Sequence, residues 1–152
     1  MAIDKKVSEL FQYLPHRPPM VWVDRVLDVG RNDTGIYGVC SVLLEDDALF
    51  LKPDGTLNAS AAIEFTAQAY GYIRAMYHVI NNIDDTPSRT YLTGVRSCSA
   101  NFQGLTQDQL KDLRVNIQLT RELHPLVFVR GEVYLEGQDK PLAETEVQVY
   151  AE

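Results

Sequence analysis

The chain has 152 residues, of which 14 are Lys or Arg and 21 are Asp or Glu, so its formal net charge is −7. A hydrophobic content of 45% over this length is typical of one globular domain, and we expect a single domain over residues 1–152. The longest basic cluster is Lys5-Lys6, which argues against binding to nucleic acids or anionic membrane surfaces. A local arginine cluster could still meet an acidic partner or a phosphorylated ligand.

The N-terminal part predicts one short helix and a β-hairpin. Val7–Leu14 carries apolar residues at helical spacing, and the prolines that follow end any helix. Met20–Val29 is rich in β-branched and aromatic residues, which indicates a strand. After a turn, Thr34–Leu44 has the composition of its hairpin partner.

One long helix follows. Pro53-Asp54-Gly55 is typical of a turn, and Asn58 is the expected N-cap of a helix over Ala59–Asn82. This segment is apolar nearly all round, which indicates a buried helix.

The C-terminal half predicts strands only, over Tyr91–Phe102, Val115–Arg121, Leu126–Leu135 and Leu142–Tyr150. Their alternation of apolar and polar residues is typical of an antiparallel sheet with one buried face. Because the strands come in runs, the fold class is α+β, with a curved sheet of about six strands wrapped around the long helix. Edge strands of such a sheet are usually paired or covered, which dimerisation would achieve.

Cys40 and Cys98 lie far apart and show no CxxC spacing. Two cysteines build no disulfide framework, and the N-terminal residues lack the apolar run of a secretory signal. We therefore expect a reduced, cytoplasmic protein. No apolar run of about 18 residues occurs, so membrane insertion is not expected.

Glu64 and Gln68 are the residues of the helix most suited to chemistry. Four positions apart, they share one helix face. A carboxylate in an apolar helix must be paired, protonated or facing a cavity. Burial would raise its pKa, which suits the group to acid–base catalysis. The alternative is a carboxylate solvated near the helix start. His16, His78 and His124 form no site by spacing, and no zinc-ligand motif occurs.

The segment LPHRPPMVWVDRVLDV, residues 14–29, resembles the opening of 3-hydroxyacyl-(acyl carrier protein) dehydratases, and EFTAQ, residues 64–68, resembles that family's helix motif. Further segments that resemble the family are YLTGVRSCSANF and KPLAETEVQVY, in the family's order. The resemblance implies a hot-dog fold and dehydration of a 3-hydroxyacyl thioester to the trans-2-enoyl form. The substrate would be held on the phosphopantetheine arm of an acyl carrier protein, with no other cofactor and no metal.

The resemblance also implies roles for individual residues. Glu64 matches the helix carboxylate that acts on the leaving hydroxyl, and Gln68 would orient it. Backbone N–H groups at the helix start, near Asn58 and Ala59, would polarise the thioester carbonyl. Phe50 stands where the family has the histidine that removes the C2 proton.

Four interpretations follow from the missing histidine. The chain could use Glu64 with Asp54 or another loop residue as the base. It could be a subunit whose Glu64 completes the site of a His-bearing paralogue, similar to the paired dehydratase subunits of aryl-polyene pathways. It could also be a hot-dog thioesterase that uses Glu64 with helix-start N–H donors, or a binding partner of acyl carrier protein without activity.

Other residues have expected supporting roles. Phe65, Tyr72 and Met76 would line an acyl tunnel, or else belong to the core. His16 and Arg17 lie in the loop that the family packs near its site and dimer interface.

Interaction partners are expected as well. The arginines available to meet an acidic carrier protein are Arg17, Arg25, Arg74 and Arg96. The resemblance implies a homodimer, a heterodimer with a paralogous dehydratase, or a higher oligomer.

Overall fold

The computed structural model of the chain describes residues 1–13, 21–44, 51–83, 90–106 and 108–151. The strands within these residues are β1 (Ala2–Lys6), β2 (Val23–Asn32), β3 (Gly35–Val42), β4 (Thr90–Ala100), β5 (Leu113–Leu123), β6 (Leu126–Leu135) and β7 (Ala143–Ala151). One α-helix, α1 (Ala61–Ile80), lies between β3 and β4 in the chain. Two 3-10 helices span Val7–Tyr13 and Gln109–Lys111.

The seven strands form one antiparallel sheet in the order β1-β2-β3-β5-β6-β7-β4. This confirms the predicted α+β class. The strand that the sequence did not predict is β1, whose AIDKK sequence has little apolar alternation. Pairing holds it at the edge: Ala2 lies opposite Asp28, and the amino group of Met1 donates a 2.7 Å hydrogen bond to the carbonyl oxygen of Val29.

Most predicted boundaries shift by one to three residues. The strand over Leu126–Leu135 has its predicted bounds, whereas β2 begins and ends three residues later than expected. The predicted N-terminal helix is a 3-10 helix that buries Val7 and Leu10. No helix within the described residues is long and apolar enough to cross a bilayer.

Helix α1 is shorter than predicted at both ends, and Asn58 is not its N-cap. The α-helix begins at Ala61 after Ser60. Asn58 instead caps a tight turn before the helix, because its Oδ1 accepts hydrogen bonds from the N–H and Oγ of Ser60, both at 3.0 Å. The other end stops at Ile80, where Asn82 adopts a left-handed backbone conformation with φ of 52°.

The helix packs directly on the sheet. Thr66 is fully buried and sits over Gly131 of β6, where a Cβ atom would lie only 2.0 Å from the Thr66 Oγ1. Glycine at this position therefore permits the close approach of helix and sheet. The buried face of the sheet and the buried side of the helix form one hydrophobic core, which positions the helix and its polar groups.

Candidate active site

Glu64 lies in the first turn of α1 and is half-buried. It belongs to the stripe of the helix that the sheet leaves partly uncovered, which we call the open stripe. The members of the open stripe are Ile63, Glu64, Ala67, Arg74, Tyr77 and His78. The position of Glu64 in the first turn of α1 leaves its carboxyl group partly accessible from outside the chain.

Gln68 is fully buried, one turn beyond Glu64. Its Oε1 accepts hydrogen bonds from the backbone N–H groups of Trp22 at 3.1 Å and Val23 at 3.4 Å. Backbone N–H groups can only donate, so the amide oxygen must point toward β2. The amide Nε2 is then the end of Gln68 that can serve a neighbouring carboxylate, and its orienting role toward Glu64 stays a prediction.

The same contact ties α1 to the start of β2. Trp22 and Val23 come shortly after residues 14–20, the segment that carries the predicted loop residues His16 and Arg17. These two residues lie outside the described part of the chain, as does Phe50. Gln68 thus anchors the chain at the point where that segment ends.

Replacing Gln68 by Met should destabilise the protein by roughly 1–3 kcal/mol, because the buried N–H of Trp22 loses its acceptor while side-chain volume is retained. Urea unfolding of the variant measures this as a lower midpoint. The matched control is Gln118→Met on β5, an exposed glutamine, for which a change within about 0.5 kcal/mol is expected. Equal stabilities of the two variants would contradict the anchoring role.

The start of the helix carries the backbone donors that the sequence predicted near Asn58 and Ala59. Most of these N–H groups already have acceptors: Ala61 donates to the Asn58 carbonyl at 3.0 Å, and Ala62 to the Ala59 carbonyl at 3.2 Å. The N–H of Ser60 donates to the Asn58 side chain. Within the described residues, Ala59 carries no hydrogen bond on its N–H and is exposed, and its role toward a substrate carbonyl stays a prediction.

Asp54 is poorly suited to replace a missing base. Its Oδ1 accepts hydrogen bonds from the Oγ1 of Thr56 at 2.6 Å and from the Thr56 N–H at 3.0 Å. The Thr56 hydroxyl, followed by the Thr56 N–H, lowers the pKa of Asp54 below its ordinary value. A carboxylate of lowered pKa is a weaker base, which disfavours the interpretation that relies on Asp54.

Phe65, Tyr72 and Met76 are all buried in the core cluster, with exposed fractions of 0%, 0% and 6%. Their spacing puts them on one side of α1, away from the open stripe. The structure thus gives each of them a packing role, and the acyl tunnel stays a prediction.

Strand β4 leaves an apolar surface uncovered. Leu92, Val95 and Cys98 pair with the buried residues Val149, Val147 and Thr145 of β7, so their side chains point to the inner face of the sheet. Leu92 and Val95 are nevertheless 42% and 46% exposed, and Cys98 is exposed. We call these three residues the β4 inner face. Among the described strands, β4 lies at an edge of the sheet, and an edge strand can pair with a further strand.

The predicted docking arginines are dispersed. Arg25 is hydrogen-bonded to Asp4, whereas Arg74 lies on the open stripe. The guanidinium of Arg96 lies 5.3 Å from the ring centre of Phe128 and 3.7 Å from Glu146. They form no common patch among the described residues.

One long helix packed on a seven-stranded antiparallel sheet is the architecture of the hot-dog fold. Residues 8–152 match the sequence model of the ApeP-like family, described as ApeP dehydratase. The chain belongs to this family of ApeP-like dehydratases.

Solved structures agree with this assignment. The dehydratase heterocomplex ApeI:P from Xenorhabdus doucetiae is 25% identical, with a TM-score of 0.73, and the match covers 97% of this chain and 91% of that chain. The family and the fold of the present chain are therefore those expected from its sequence. No curated protein matches the chain.

More distant structures share the fold alone. The PaaI protein from the phenylacetic acid degradation operon of E. coli is 10% identical, with a TM-score of 0.53 and coverage of 82% of this chain and 78% of that chain. A mutant of the thioesterase SAV0944 from Staphylococcus aureus is 14% identical, with a TM-score of 0.55 and coverage of 82% and 91%.

Proposed function

We propose that this chain is one subunit of a two-chain dehydratase, in which Glu64 completes an active site with a histidine from a paralogous partner. The observation that carries the proposal is the position of Glu64 on the open stripe of α1, the part of the helix that its own sheet does not cover. A second hot-dog chain covering this stripe would bring its own side chains to Glu64. The heterocomplex from Xenorhabdus doucetiae supports a partner of the same family.

The β4 inner face supports the same arrangement. Helix α1 packs against β4, and both present apolar surface that the chain itself does not bury. Exposed apolar surface on an edge strand favours association with another chain. A partner strand paired along β4 would extend the sheet and bury Leu92 and Val95.

The proposed role of each residue in the reaction follows from its chemical type. A histidine of the partner would remove the C2 proton of the 3-hydroxyacyl thioester, and the C2 electron pair would form the double bond to C3. Glu64 would act as the general acid and donate a proton to the departing C3 hydroxyl, which leaves as water. The N–H of Ala59 would hydrogen-bond the thioester oxygen, on which negative charge develops.

Substrate delivery by an acyl carrier protein belongs to this proposal. The acyl chain would arrive on the carrier's phosphopantetheine arm, without a prosthetic group of the dehydratase itself. Both Cys40 and Cys98 are free thiols, which supports a reducing, cytoplasmic setting.

Reconstitution tests the proposal. The chain would be purified alone and together with a His-bearing paralogue, and both samples would be assayed for enoyl thioester formation from 3-hydroxyacyl thioester. We expect no turnover from the chain alone and turnover from the pair that exceeds that of the partner alone. Full activity of the chain alone would contradict the subunit role, and release of free thiol would favour the thioesterase interpretation instead.

A further inference from the structure

An open groove of about 700 Å³ lies at the end of the sheet where β4 and β6 stop and β7 begins. Its polar lining comes from the end of β4, the second 3-10 helix and the turn between β6 and β7, and consists of Ser99, Asn101, Gln109, Gln138 and Lys140. These elements lie outside α1, so the groove is built from other parts of the chain than the Glu64 site. Its volume falls in the range of about 300–1,000 Å³ that is usual for small-molecule sites.

Two carboxamides of the lining already use their oxygen atoms inside the chain. The Oδ1 of Asn101 accepts a hydrogen bond from the N–H of Gln103 at 3.1 Å. The Oε1 of Gln109 accepts one from the N–H of Thr106 at 2.9 Å. Backbone N–H groups can only donate, so both contacts fix the orientation of the amide. The NH2 ends of the two side chains are therefore the ends that can serve a ligand.

Lys140 adds a cationic donor to the same groove. It is exposed, and among the described residues no carboxylate lies within ion-pair distance of its ammonium group. Lys140 is the charged side chain of the lining, whereas the neighbouring carboxylates Asp108 and Asp139 are not part of it. The groove thus presents mainly N–H donors, which suits a ligand that carries acceptor oxygens and negative charge.

Apolar surface lies beside these donors. The apolar lining consists of the partly buried residues Ala100, Leu135, Pro141 and Leu142. A volume of 700 Å³ equals roughly twenty water molecules at about 30 Å³ each, which is far more than a single phosphate or carboxylate group fills. The ligand that fits this lining therefore has an apolar part as well as an anionic one.

We propose that this groove is a binding site for an organic oxyanion, namely a phosphate or carboxylate group attached to an apolar chain. The oxyanion would receive charge-assisted hydrogen bonds from Lys140 and from the NH2 groups of Asn101 and Gln109. The apolar chain would cover Leu135 and Leu142 and remove their exposed surface from water. The proposal does not depend on the dehydratase function.

Calorimetric titration of the full chain, alone and in complex with its partner chain, tests the proposal. The probes are n-hexyl phosphate, hexanoate and the uncharged 1-hexanol, at constant ionic strength set with chloride. We expect saturable binding of at least one of the two anions and at least tenfold weaker binding of hexanol. Binding of hexyl phosphate alone would identify a phosphate ligand, and binding of hexanoate alone a carboxylate ligand.

Three results of this titration would overturn the proposal. The first is the absence of saturable binding for both anions. The second is an affinity for hexanol equal to that for the anions, because the donors of the groove would then contribute nothing. The third is binding to the isolated chain that disappears in the complex, because the groove would then belong to the contact with the partner.

Three variants locate the site. Asn101→Asp and Gln109→Glu keep the oxygen that accepts the backbone N–H, but they replace the NH2 donor by a carboxylate oxygen. Each should weaken anion binding by about tenfold or more, the usual effect of losing a charge-assisted hydrogen bond. Lys140→Gln should have an effect of the same size. Lys140 is exposed in a turn, so its variant keeps the test informative if either of the others fails to fold.

The matched control is Gln118→Glu on β5. Gln118 is exposed and is not part of the lining, so this variant adds the same negative charge as Gln109→Glu at a place outside the groove. We expect unchanged anion binding. Equal affinities of the Gln109→Glu, Lys140→Gln and Gln118→Glu variants would show that the anion binds elsewhere and would also overturn the proposal.

Discussion

Replacing Glu64 by Gln is expected to lower the dehydration rate of the two-chain complex by about 10²–10⁴-fold, the usual contribution of a general acid or base. The amide has nearly the same size and keeps the packing of the first helix turn, but it cannot deliver a proton to the leaving hydroxyl. The rate of enoyl thioester formation by the reconstituted complex measures the effect. Size-exclusion chromatography should show that the variant still associates with its partner.

The control for this variant is Glu9→Gln in the first 3-10 helix. Glu9 is exposed and lies 3.3 Å from Lys5, so the substitution removes the same charge from an exposed position outside α1. Its dehydration rate should equal that of the unaltered complex. A Glu64→Gln complex with the full rate would show that the partner carries all the acid–base chemistry and that this chain contributes none.

Introducing a lysine at Val95 is expected to weaken association with the partner chain by about 10- to 100-fold, the range of an interface hot spot. Val95 is half-exposed on the β4 inner face, and a partner covering this face would bury the new ammonium group without a counter-charge. Analytical ultracentrifugation of the mixed chains measures the dissociation constant. Because Val95 is exposed in the isolated chain, its folding should change little.

Ser97→Lys serves as the control on the same strand. Ser97 pairs with Glu146 of β7, so its side chain points to the outer face of the sheet, where a lysine stays in water. Its dissociation constant should match that of the unaltered pair. Equal weakening by Val95→Lys and Ser97→Lys would mean that the partner does not cover the inner face of β4.

Local sequence patterns predicted the regular elements well where periodicity was strong. The central helix was expected over Ala59–Asn82 because apolar residues recur along this segment without a break. The structure has it over Ala61–Ile80. The start of the helix was predicted too early because the chain first makes a tight 3-10 turn that is capped by Asn58. The edge strand β1 was missed because pairing with β2, rather than its own alternation, makes it a strand.

The candidate site was predictable only in part. Glu64 and Gln68 stood out because polar groups in an apolar helix are costly to bury unless they are bonded. The acceptor role of Gln68 toward Trp22, 46 positions away in the chain, required the folded chain.

The sequence by itself determined the α+β class, the long buried helix and the carboxylate near its start, since hydrophobic periodicity and the cost of burying charge act locally along the chain. Tertiary structure alone decided which surfaces stay uncovered. The open stripe of α1 mixes apolar residues with Glu64, Arg74 and His78, and the β4 inner face carries Leu92 and Val95, yet both surfaces stay partly exposed. Coverage depends on the order in which strands pair, and that order arises from contacts between residues far apart in the sequence.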